Sequence, residues 1–332
     1  MFRRLIVRFL RLPVVTDLLA FSKRVRIPGF DGLPLYDVAT FFIIGIQKGS
    51  LNIRASSVAF NFILAVFPGI IFLFTLLAYI PYDGFQSQLL DLMREFLPSS
   101  TYVVVRETFE DIITQQRGGL LSITVISALF FSTNGISSLI DGFNATYHTY
   151  RQRSAIKQRI VALGIMLILV VITIIAIALI IFGGLGVKLL LEFGVIKGMA
   201  AVLAVNLTRW MVVVLLLFLG VTVLYVYGPA RTTRWGFFSA GSTLATVLVI
   251  VTSLGFRFFI ENFGAYNKLY GSIGTLLVVM LWMLINSTVL LIGFELNASI
   301  ERAKLKDLEN KERTLNLSLE KAIAEGDTDK PE

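Results

Sequence analysis

Six uncharged apolar runs leave this chain one class of fold. They are Ala55–Tyr82, Gly118–Ile140, Ile160–Val187, Trp210–Ala230, Trp235–Phe256 and the stretch between Lys268 and Glu295. A hydrocarbon layer about 30 Å thick is crossed by roughly 20 residues of helix. Backbone N–H and C=O groups find no partners in lipid, so runs of this length must bond internally as helices. Membrane strands would alternate over shorter segments. The sequence therefore predicts an all-α, polytopic membrane bundle with six transmembrane helices, at about 55–80, 119–140, 160–186, 205–228, 236–258 and 271–294.

Charge orients these spans. Residues 1–54 are basic through Arg3, Arg4, Arg8, Arg11, Lys23, Arg24, Arg26, Lys48 and Arg54. The loops 141–159 (Arg151, Arg153, Lys157, Arg159) and 228–235 (Arg231, Arg234) are basic too. The long segment 81–117 is net acidic. Basic loops stay inside, so both termini are expected to be cytoplasmic and 81–117 outside. Arginines interleaved with apolar residues in MFRRLIVRFLRL read as an interfacial helix rather than a cleavable leader. The run Val38–Ile46 is too short to span and reads as a second interfacial helix. Apolar stripes Leu89–Leu97 and Tyr102–Ile112 make 81–117 an outer pair of amphipathic helices, a candidate docking site for an envelope protein partner. The tail 301–332 begins as a charged helix extending the sixth span and loosens toward EGDTDKPE. The organisation is thus a basic segment 1–54, a membrane domain 55–300 and a cytoplasmic tail 301–332.

Composition narrows the chemistry. The chain has no cysteine and a single histidine, His148, which removes disulfides, thiolate metal sites and a cysteine nucleophile. No Walker-type glycine loop or catalytic motif is present, so neither an enzyme, a metal nor a cofactor is expected. The net charge of +8 would suggest nucleic acid in a soluble protein. Here it falls in the inward segments, where it orients the chain and meets anionic lipid.

Three segments resemble a known family. The first span enters as RASSVAFNFILAVFPGIIFLF, with Asn61 and a mid-span Pro68. The second leaves as NGISSLIDGFNATY before a basic loop. The sixth reads YNKLYGSIGTLLVVMLWMLINSTVLLIGFELNASI. Together, over roughly residues 40–300, these resemble the YihY/BrkB family of bacterial inner-membrane proteins. Phe294 departs from it, standing where the family commonly has a small residue. The resemblance implies a multi-pass inner-membrane protein linked to envelope integrity, serum resistance and lipid or lipopolysaccharide traffic. It brings no catalytic residues, and the ribonuclease label once attached to the family finds no support in these residues.

Charges and amides near a bilayer are costly, so each is a candidate site. At the inner boundary, Asn134, Ser138 and Asp141 share a helical stripe, and Glu295 closes the sixth span. Arg54, Arg231 and Arg234 form a charge cluster at the same depth. These groups serve either as interhelical glue or as a gate built on Asp141 and Glu295. At the outer boundary, Arg209 and Arg257 run against the charge rule, and because a planar guanidinium suits a lipid phosphate the two are expected to hold an anionic headgroup between spans four and five, with Asn61 a further lipid-binding candidate. Span four begins before residue 205 if the apolar stretch 198–208 is helical, which would place Arg209 below the headgroups. Pro68, Gly271, Gly274 and Trp282 are structural: a lost helix hydrogen bond that kinks the first span, close helix approach and packing. The expected function is transport or flipping of an anionic envelope lipid or lipopolysaccharide precursor. The alternative is a scaffold for an envelope-integrity complex.

Overall fold

The computed structural model describes residues 21–27, 29–48, 50–77, 106, 118–146, 153–193, 199–230, 236, 238–261 and 264–326. The interfacial segment 1–20, most of 81–117, His148, Arg231 and Arg234 lie outside these residues. Helices run Leu35–Lys48 (α1), Leu51–Leu77 (α2), Gly118–Asn144 (α3), Ala155–Glu192 (α4), Met199–Tyr227 (α5), Ala240–Glu261 (α6) and Gly264–Gly326 (α7). Among the described residues there are no strands. Six of these helices, α2 to α7, are long and apolar enough to cross a membrane. The protein is an all-α, multi-pass membrane protein.

The spans contact one another in chain order, α2 to α3 and onward to α7, and α7 closes the ring against α2. Short connections make this the natural outcome, because consecutive helices pack as antiparallel neighbours. The outer faces stay apolar: Ile156, Ile160 and Ile174 of α4 and Leu207 and Met211 of α5 are exposed, as lipid-facing residues must be.

The packed core is concentrated at one end. Ala55 and Val58 of α2, Leu139 and Phe143 of α3, Ile165 of α4, Tyr225 of α5, Ala245 of α6 and Phe294 of α7 belong to one buried cluster. All of them lie in the half of the bundle that also holds Glu295. Phe294 is at its centre, stacked on Phe143 with ring centroids 4.2 Å apart and edge-on to Tyr225 at 5.6 Å. Phe294 thus fills the core at this end of the bundle.

Helices α6 and α7 cross through glycine. The Gly293 carbonyl sits where a Gly241 Cβ would be. A Cβ on Gly293 would stand 2.5 Å from Tyr225 Oη and 2.7 Å from the Gly241 oxygen. Close approach lets Asn297 of α7 serve α6: its Oδ1 accepts from Gly241 N at 2.6 Å and its Nδ2 donates to Ser239 Oγ at 2.8 Å. Ser239 in turn accepts from Ser242 N, capping the first turn of α6. Asn297 is buried, so Asn297→Ala leaves Gly241 N without its acceptor and removes one of the bonds to Ser239. It is expected to cost about 1–3 kcal/mol, read as a lowered melting temperature in detergent.

Two elements extend or refine the expectations. Helix α7 continues without a break for 63 residues, about 95 Å at roughly 1.5 Å per residue. The charged tail is therefore an extension of the sixth span as far as Gly326. Helix α1 packs on this extension through Val38 beside Ile300 and Ala303, while Ile43 and Ile44 on its other side stay exposed.

Candidate functional site

Glu295 lies in the last lipid-depth turns of α7, where burial of a charge needs partners. It is 1% exposed. Thr146, at the end of α3, donates to Oε2 at 3.0 Å. Arg302 NH1 reaches Oε1 at 3.2 Å, and Arg54 NH2 of α2 stands 3.7 Å from Oε2. Arg54 NH1 also donates to Gly142 O at 2.7 Å and Thr146 Oγ1 at 2.8 Å. Arg302 NH2 donates to the Thr146 carbonyl. Gly45 of α1 admits the carboxylate, since a Cβ there would overlap Oε1. One carboxylate and two guanidiniums therefore tie α2, α3 and α7 together, with α1 laid over them.

The expected partnership of Glu295 with Arg54 is present. Arg302 is an addition, and its signal was in the sequence: seven residues after Glu295, it falls on the same helical face two turns on. Arg231 and Arg234 lie outside the described residues. Asp141 does not share this cluster. It faces the other way, toward α4, where its Oδ1 accepts from Gln158 Nε2 at 2.8 Å. Asn134 is bonded there as well, accepting from Arg159 NH2 at 2.9 Å. The polar residues at this end of the bundle thus split into a sealed cluster around Glu295 and an open groove between α3 and α4. That groove has a volume of about 410 Å³. Arg153 closes its edge by donating to the carbonyls of Gly228 at 2.8 Å and Pro229 at 2.6 Å, past the end of α5. Burial lowers the Arg153 pKa below the ordinary arginine value.

The other end of the bundle holds Arg209. Helix α5 begins at Met199, so Arg209 sits within the span rather than at its tip. The apolar stretch before it is helical, since backbone groups in an apolar run bond internally, and the long arginine stem lies along apolar surface. That stem crosses α4 at Gly183, where a Cβ would overlap Arg209 Cδ. Arg209, Thr208, Ala204, Leu179 and Gly183 line an open groove of about 390 Å³ between α4 and α5. Arg257 is exposed on α6 and is not among the lining residues, so this groove does not bring the two arginines together.

The remaining candidates have structural surroundings. Asn61 bonds back to its own helix at Ser57 O, 2.9 Å away, and α2 runs continuously through Pro68. Trp282 packs on Phe256 of α6, with ring centroids 4.6 Å apart. Gly271 and Gly274 lie in the opening turns of α7. Backbone meets backbone between α6 and α7 at Gly241 and Gly293, and Gly241 with Ala245 makes a small-residue pair one turn apart. Among the described residues no group of three or more acidic, histidine or cysteine side chains could hold a metal ion.

Comparison with known proteins agrees with this architecture. A family model described as "Virulence factor BrkB" matches residues 43–316. YfkH of Bacillus subtilis, whose name calls it ribonuclease-like, is 30% identical over 256 residues, covering 76% of this chain and 92% of its own. A UPF0761 membrane protein of Alteromonas mediterranea is 25% identical over 286 residues, covering 81% and 89%. A UPF0761 membrane protein of Chromohalobacter salexigens is 24% identical over 258 residues, covering 74% of this chain and 58% of its own. No solved structure matches the chain. The match to the family model spans most of the chain, including α2 to α6 and the membrane-crossing part of α7, and the chain belongs to the YihY/BrkB family of membrane proteins.

Proposed function

We propose that this protein is an inner-membrane component that binds an anionic envelope lipid, or a lipopolysaccharide precursor, and moves it between leaflets along the face of α4. Both termini are cytoplasmic in this reading. The observation that carries it is the placement of Arg209 across Gly183, in a groove open to lipid. A guanidinium held at that depth can bond two phosphate oxygens while acyl chains lie on the apolar residues beside it. Residue 159, in the opening turns of the same helix, is about 36 Å from Gly183 at roughly 1.5 Å per residue. That separation matches one hydrocarbon thickness plus headgroup margins, about 30–45 Å. Glu295 is sealed, so in this reading it holds the bundle rather than touching lipid.

Purified protein in liposomes tests the proposal. Wild type is expected to scramble a fluorescent anionic lipid faster than empty liposomes. Arg209→Gln is expected to slow this about tenfold, as loss of a charge-assisted bond of roughly 1.5 kcal/mol would. Gly183→Leu should act in the same direction by displacing the arginine stem. Equal rates in wild-type and empty liposomes would overturn the transport reading.

One observation favours the scaffold instead. The grooves on the two flanks of α4 share no lining residue, and the bundle between them at the Glu295 end is closely packed. A scaffold would dock an envelope protein through 81–117, and deleting that segment would then release the partner without altering lipid movement. The ribonuclease-like name of YfkH has no counterpart among this chain's residues, which offer one histidine and no cysteine.

A further inference from the structure

The groove between α3 and α4 holds opposite charges that are kept apart. Asp141 is bonded to a neutral amide, Gln158, and Arg159 to a neutral amide, Asn134. Arg159 is further fixed by lying over the Phe130 ring, 4.4 Å from its centroid. Arg153, the other guanidinium lining the groove, is occupied by the Gly228 and Pro229 carbonyls. The carboxylate and the available guanidinium thus face one open groove without neutralising each other. On α3, Asp141 and the Asn134 that anchors Arg159 are two helical turns apart, roughly 10 Å.

We propose that this groove binds the headgroup of a phospholipid bearing a primary ammonium beside its phosphate, with Asp141 taking the ammonium and Arg159 the phosphate. A phosphate and an ammonium joined by two methylenes, with a hydrogen bond at each end, also span on the order of 10 Å. A purely anionic headgroup needs only the arginine and is repelled by Asp141. A quaternary ammonium has no N–H to give the carboxylate. An ammonium-bearing headgroup satisfies both ends of the groove with charge-assisted bonds. Exposed Ile126 and Phe130 of α3 and Leu163 and Leu167 of α4 offer the acyl chains an apolar bed directly above. The assignment rests on the lipid-handling reading only in taking the ligand to be a membrane lipid; its groove is separate from the Arg209 groove and holds a zwitterionic headgroup rather than the anionic one proposed there.

Native mass spectrometry of the full chain tests it, with phosphatidylethanolamine, phosphatidylcholine and phosphatidylglycerol of matched acyl chains in competition. Phosphatidylethanolamine is expected to be retained roughly fivefold to tenfold over either competitor. Asp141→Asn keeps the Oδ1 that Gln158 uses, so the groove stays built. It is expected to bring the ethanolamine-to-choline ratio close to one, while Asp141→Glu preserves the preference. Arg159→Gln should lower retention of all three lipids together. A wild-type ratio near one, or a preference that survives Asp141→Asn, overturns the assignment. If scrambling is absent but the preference holds, the transport reading falls and this site stands. If scrambling holds and the preference is absent, only this site falls.

Discussion

Glu295→Ala is expected to destabilise the protein by about 3–5 kcal/mol, the effect of removing one partner from a buried ion cluster. The carboxylate is the only negative group facing Arg54 and Arg302 in the described cluster, and it is 1% exposed. Its loss leaves two guanidiniums close together, with Thr146 losing its acceptor. Arg54 Nε and NH2 already have no hydrogen-bond acceptor among the described residues, so nothing nearby substitutes for the lost charge. The measurement is the folded, monodisperse fraction in detergent as a function of temperature. A second substitution sharpens it. Arg54→Met in the Glu295→Ala background removes one of the two uncompensated cations and is expected to recover part of the loss, because an apolar replacement of a buried charge pair is often tolerated. A melting curve for Glu295→Ala that overlays the wild type would refute the cluster as the lock of the bundle.

Gly293→Val is the second large effect. Its Cβ would meet Tyr225 Oη at 2.5 Å, Ala245 Cβ at 2.7 Å and Gly241 O at 2.7 Å. The last of these is backbone, and no rotamer change relieves it. Helices α6 and α7 must separate, which breaks the bond from Gly241 N to Asn297 Oδ1, and Tyr225 of α5 must move away from the new Cβ, which disrupts its Oη bond to Leu290 O at 2.6 Å. The cost is expected to reach about 3 kcal/mol or more, beyond ordinary overpacking because hydrogen bonds are lost with it. Gly164→Ala in α4 and Gly255→Ala in α6 are the controls. A Cβ at either meets nothing within 4 Å. Both should be neutral or stabilising by about 0.5–1 kcal/mol, through helix propensity alone. Comparable losses at all three positions would show that the crossing carries no special constraint.

These two sites differ in how far they could be read in advance. Glu295 stood out because a carboxylate at the end of an apolar run is expensive wherever the chain goes, and Arg54 was the right kind of partner at the right depth. Arg302 followed the same face of the same helix. Thr146 and Gly45 were not legible, since neither residue type is costly in a membrane and neither is near Glu295 in the chain. Helical spacing puts Asn134 and Asp141 on one stripe, but a stripe has no stated neighbour. Only the packing of α3 between α2 and α4 turned Asp141 away from Glu295 and toward Gln158.

What the sequence determined by itself is the number of spans and the helical fold, because hydrocarbon offers the backbone no other way to bond. It also marked the polar residues that needed partners, since burial of charge is penalised in any arrangement. Tertiary structure alone decided which partners they found: Glu295 with Arg54 and Arg302 in a sealed cluster, Asp141 and Arg159 held apart in an open groove, Arg209 laid across Gly183. Pairings of this kind depend on which faces of neighbouring helices meet. That choice is made by close packing at residues such as Gly241, Gly293 and Phe294, whose effect exists only once the helices are side by side.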